Sequence, residues 1–161
     1  MTMKWRLAVA GMALCAVASG LSTAPQAQTT TGSSFEVAVS LSPAAAARLA
    51  ATRETVVVDV QFYGVPSSER ERMADQGRLE LAPEWKTEIA GAGVVRVPGP
   101  TYDRSKLKSV EGGQLDVSVD GYSGRHSGPD NILMCDDADD LSLKVAASGP
   151  VRLNCKLLTE M

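Results

Sequence analysis

The stretch Val56–Gly64 reads Val-Val-Val-Asp-Val-Gln-Phe-Tyr-Gly. It constrains the fold more than any other part of the chain. Val58, Val60 and Phe62 alternate with Asp59, Gln61 and Tyr63, the period-two pattern of a strand with one face in a core. Leu115–Gly124, reading Leu-Asp-Val-Ser-Val-Asp-Gly-Tyr-Ser-Gly, is a weaker copy. Val58, Val60 and Tyr63 align with Val117, Val119 and Tyr122 at one offset, which also sets Ser42–Thr55 against Thr101–Gln114. A second block aligns Ile89–Val97 with Val145–Leu153, keeping the small-residue turn, a glycine and an arginine in step. Two blocks repeating in the same order predict an internal duplication.

Other segments carry the same punctuation. Phe35–Leu41 alternates Phe35, Val37, Val39 and Leu41 against polar or small residues. Ser42-Pro43 then supplies an N-cap and first-turn proline for an alanine-rich helix over 44–51. Further strands are predicted at Arg78–Leu81, Trp85–Ile89, Gly93–Val97, Leu115–Tyr122, Ile132–Met134, Leu141–Val145 and Val151–Leu157. A short helix is predicted over Tyr102–Val110. Many short strands separated by Gly and Pro predict a mainly β chain, a two-layer β-sandwich with one or two short helices. The repeat would make it two pseudo-symmetric, degenerate halves, neither able to close a core alone.

The first segment does not belong to that domain. Lys4 and Arg6 precede an apolar run, Leu7–Val17, and then Ala18, Ser19 and Gly20, the layout of a secretory signal peptide. The run is shorter than the ~20 residues needed to span a bilayer, so the mature chain is expected to carry no membrane anchor. Cys15 follows Leu14 inside this run, a poor context for lipid attachment. The expected division is a signal peptide over 1–27, a flexible leader over 28–34 and one domain over 35–158. Location is then periplasmic or secreted. Loss of Lys4 and Arg6 moves the formal net charge from −3 to −5. An acidic chain of this kind argues against a nucleic-acid partner.

Cys135 and Cys155 remain in the exported part, and an even pair there predicts a disulfide. The loop closed, about 20 residues, corresponds to ~3 kcal/mol on a chain-entropy account. One histidine and no Cys-x-x-Cys spacing argue against a metal centre, and no cofactor motif is present.

His126, the only histidine, lies in Ser123-Gly124-Arg125-His126-Ser127-Gly128-Pro129-Asp130-Asn131. A secreted hydrolase could be built on His126 with Ser123 or Ser127 and Asp130. Yet neighbours in one loop rarely reach triad geometry, and no Gly-x-Ser-x-Gly elbow is present. The acidic run Asp136–Asp140 offers carboxylates to calcium but lacks the order of an EF-hand loop, so a charged surface loop is the plainer expectation. No spacing selects a catalytic carboxylate pair. Tyr63 and Tyr122 fall on the polar side of the duplicated strand, each followed by a loop bearing arginine. Exposed tyrosines beside such loops suit a binding surface. The residues expected to bind are therefore Tyr63, Tyr122, Arg125, His126 and Asp130. The function expected is a non-catalytic interaction with another protein or a cell-envelope component, in an inhibitor-like or immunity-like role.

Overall fold

The computed structural model describes residues 28–69, 72 and 77–161. The expected signal peptide over 1–27 and part of the charge run Glu69–Arg72 lie outside them. Among the described residues ten strands form: β1 Thr29–Thr31, β2 Phe35–Leu41, β3 Val56–Gly64, β4 Leu79–Ile89, β5 Gly93–Val97, β6 Thr101–Asp103, β7 Asp116–Ser123, β8 Leu133–Cys135, β9 Ala138–Ser142 and β10 Val151–Leu157. Helix α1 spans Pro43–Thr52, and a single turn, α2, spans Leu143–Ala146. Eight of the strands make two four-stranded sheets, sheet I in the order β5-β2-β10-β8 and sheet II in the order β4-β3-β7-β9, and β1 pairs with β6 in a third. The β-sandwich predicted from the alternation is the architecture observed.

The core lies between the sheets. Sheet II contributes Val56, Val58, Val60 and Phe62 from β3 with Val117 and Val119 from β7; sheet I contributes Phe35, Val37, Val39, Val97, Val151 and Leu153. β-Branched side chains, stiff at χ1, fill this space at little entropic cost. Helix α1 carries the chain from sheet I to sheet II. The Ser42 hydroxyl accepts from Ala45 N–H at 3.0 Å. Arg53, left-handed at φ 56°, ends the helix. Ala45 and Leu49 are the residues it buries.

Cys135 and Cys155 are bonded, as expected. They stand opposite each other on β8 and β10, against the inner face of β7 at Gly121. A Cβ there would lie 2.7 Å from Cys135 Sγ, so only glycine lets β7 pass under the bridge.

Several elements differ from expectation. Arg78–Leu81 and Trp85–Ile89 are parts of one strand, β4, which runs through Pro83. Pro83 is tolerated because β4 is an edge strand and bulges there: Val60 faces Trp85, Phe62 faces Ala82 and Tyr63 faces Glu80. Tyr102–Val110 is helical only in part. Its start pairs as β6, and Arg104–Ser109 forms 3₁₀ turns capped by Asp103, which accepts from Ser105 N–H at 2.8 Å. Leu141–Val145 is not a strand. β9 begins earlier, inside the acidic run, and the Ser142 cap starts α2 at Leu143. The leader over 28–34 is tied down, since Thr29–Thr31 pairs with Thr101–Asp103. β3 and β7 pair so that Val60 faces Val119, residues the sequence repeat equates. In sheet I, β2 runs parallel to β10, a pairing the sequence repeat does not equate.

Candidate functional site

The outer face of sheet II concentrates the polar residues that strand alternation sends away from the core. Register sets Asp59 opposite Asp120 on β7 and Lys86 on β4, Gln61 opposite Ser118, and Tyr63 opposite Asp116. A bulge in β9 adds to this. Val117 faces Leu141 and Val119 faces Ala138, leaving one surplus residue between them. Asp140 absorbs the bend with φ 55°, a conformation aspartate adopts more readily than most residues. Two consecutive acids, Asp139 and Asp140, thereby reach the same face.

Tyr63 is buried, 3% exposed, where the sequence led us to expect an exposed ring. Its hydroxyl donates to Asp140 Oδ1 at 2.5 Å and accepts from Asp140 N–H at 3.1 Å. The Arg78 guanidinium lies 4.3 Å from the ring centroid, a cation–π contact. Arg78 also donates to Asp139 Oδ1 at 3.2 Å, and Ser118 Oγ donates to the same oxygen. Burial, reinforced by the bond to Asp140, pushes the Tyr63 phenol up to about 12. Tyr63 is thus a clamp across the sheet. Beside it the β4 bulge opens a cleft of about 410 Å³, lined by Gln61, Tyr63, Arg78, Glu80 and Glu84 among others.

Asp59 sits at the centre of the face, 6% exposed. Its Oδ2 accepts from Lys86 Nζ at 3.0 Å and from the half-buried Tyr122 hydroxyl at 3.3 Å. Lys86 also reaches Glu84 at 3.1 Å. Asp59 Oδ1 is buried with no hydrogen-bond partner. Burial raises the pKa of Asp59 despite the lysine, and Glu84 adds to the rise. Asp120 is raised by burial and then by Asp139, Asp137 and Asp59; Asp116 is raised by burial and Asp140. Carboxylates crowd one another here beyond what Arg78 and Lys86 neutralise.

The loop after β7 is a separate cluster. Buried Glu54, 3% exposed, accepts from Thr55 N–H (3.0 Å), His126 N–H (3.1 Å), Ser127 N–H (2.8 Å) and the Ser127 hydroxyl (2.6 Å). Burial would raise its pKa, but these bonds outweigh burial and hold it at about 2. The exposed His126 meets Glu88 Oε2 at 2.7 Å through Nε2. Ser123 donates its hydroxyl to Asn131 Oδ1 at 3.1 Å and is fully buried. Both serine hydroxyls proposed for a triad are thus committed elsewhere than to His126. Arg125 and Asp130 are exposed on the same loop.

The binding residues expected from sequence do not converge on one surface. β3 and β7 are antiparallel, so Val56 lies beside Ser123 while Tyr63 lies beside Asp116. The loops that follow Tyr63 and Tyr122 therefore leave from opposite ends of the sheet. Tyr63 and Tyr122 share the face; Arg125, His126 and Asp130 sit at its far end. Sequence reasoning placed Asp59 on the polar side of β3 but missed its partners. Register and bulges alone set Lys86 and Asp120 beside it and bring Arg78 and Asp139 onto the same face. In the acidic run, Asp136 accepts from Asn154 at 2.8 Å, and Asp139 and Asp140 are held as described. Among the described residues no group of three or more His, Cys, Asp and Glu side chains could hold a metal ion. No protein-family model, curated protein or solved structure matches this chain.

Proposed function

We propose that this chain is an exported, non-catalytic binding protein of the periplasm or extracellular space, and that the outer face of sheet II is its working surface. The observation that carries this reading is the buried Asp59, with one oxygen unpartnered, among carboxylates whose ionisation burial and crowding oppose. A face serving only to be solvated would hold fewer and better-paired acids. A disulfide suits an oxidising compartment. No helix among the described residues is long and apolar enough to cross a membrane.

Site-directed photocrosslinking tests the reading. A crosslinker at Glu84, on the face, should yield a discrete adduct with an envelope or extracellular partner. One at Glu36, on the outer side of sheet I, should not. Equal labelling from both positions, or none from Glu84, would sink the proposal. A hydrolase would instead show an activity that His126→Ala removes from a folded protein, and a calcium module a melting shift with calcium lost on combining Asp137→Asn with Asp139→Asn.

A further inference from the structure

Lys86 serves only one oxygen of Asp59. An ammonium is a point donor, and here it divides itself between Asp59 Oδ2 and Glu84. Oδ1, on a residue more than nine-tenths buried, has no amine, amide or hydroxyl donor, and the Glu84 carboxyl lies within hydrogen-bonding reach of Asp59. Around it the face carries Asp120 from β7 directly opposite, Glu84 from β4, and Asp139 from β9. Arg78, the other cation, is already engaged by Tyr63 and Asp139. Among the described residues, the carboxylates of this cluster outnumber its two cations. Its central carboxylate has the two-oxygen geometry that a planar guanidinium fork satisfies and an amine does not. Lys86 is itself 46% exposed along its side chain and so can swing clear.

We propose that this face receives a basic segment of a partner protein, and that an arginine of the segment takes Asp59 in place of Lys86, with Asp120 and Glu84 as flanking acceptors. This rests on the binding reading above and names the chemistry of the partner. Charge complementarity is its basis, since the exported chain is acidic and the unmet charge gathers on this face.

Calorimetric titration of the exported chain with an octa-arginine peptide tests it, with octalysine and a Gly-Ser octapeptide as comparisons. Wild type should hold octa-arginine several-fold tighter than octalysine and ignore the neutral peptide. Asp120→Asn should weaken octa-arginine at least tenfold while melting no lower than wild type, so that the loss is not unfolding. Lys86→Ala should tighten it, and Glu36→Gln should leave it unchanged. Undiminished binding by Asp120→Asn, or no preference for arginine, would overturn the inference. So would self-association that buries this face. If crosslinking from Glu84 finds a partner but octa-arginine is not bound, the cation assignment alone falls. If both fail, the binding reading falls with it.

Discussion

Glu54 shows what one buried carboxylate can hold. It accepts four hydrogen bonds and pins the 126–127 segment to the start of β3. Its folded pKa, about 2, is depressed from 4.5. Its stabilisation is therefore fully present above about pH 4.5 and lost as pH falls toward 2, because the unfolded chain binds the proton first. The shift corresponds to roughly 3 kcal/mol. Glu54→Gln should cost about 2–3 kcal/mol at pH 7, in the range for charged hydrogen bonds left unmade, and progressively less toward pH 2. Denaturant titration at several pH values checks this. His126 behaves oppositely. The bond and charge of Glu88 raise its pKa, so its contribution is present below the ordinary histidine value and fades as pH rises through the raised one. Proton NMR should place the imidazole midpoint above 6.5, and Glu88→Gln should lower it. At Asp120 the raised carboxyl means that ionisation opposes folding. Stability falls as pH climbs through its titration, so Asp120→Asn should raise the melting temperature by a few degrees at pH 7 and change little near pH 3. Asp120 thus costs stability where it stands opposite Asp59.

At the scale of elements, bulges decide what the strands present. β4 bulges at Pro83 and opens the cleft; β9 bulges at Asp140 and brings two acids to one face. Neither bulge is visible in period-two patterning, which is why β4 reads as two strands and β9 as a loop. The acidic run reads as a charged surface loop, yet part of it pairs as β9, because edge strands tolerate charge where one side meets solvent. β7 illustrates the reverse dependence, where one atom matters. Gly121→Ala would press a methyl on the disulfide sulfur at 2.7 Å. It should cost about 1–3 kcal/mol, typical of overpacking, read as a lowered denaturation midpoint.

Across the whole molecule, stability rests on one Val- and Leu-rich core and one staple. Leu153 is fully buried between the sheets, and Leu153→Ala should cost roughly 2–5 kcal/mol. Reducing the Cys135–Cys155 bridge should remove about 3 kcal/mol on the chain-entropy account, measured by denaturation with and without reductant. The parallel pairing of β2 with β10 ties strands far apart in sequence into one sheet.

Alternation of Val58, Val60 and Phe62 against Asp59, Gln61 and Tyr63 was enough to determine strands, faces and a sandwich, because a period of two leaves the chain few ways to bury its apolar side. The cysteine pair and the Ser42-Pro43 helix start were equally legible, being set by local chemistry. Tertiary structure alone decided that β3 and β7 run antiparallel and send their loops to opposite ends. It alone set Lys86 and Asp120 beside Asp59 and buried Tyr63 under Arg78. Those outcomes depend on register, strand order and bulges, which arise from packing between segments far apart in sequence and leave no periodic mark on any one of them.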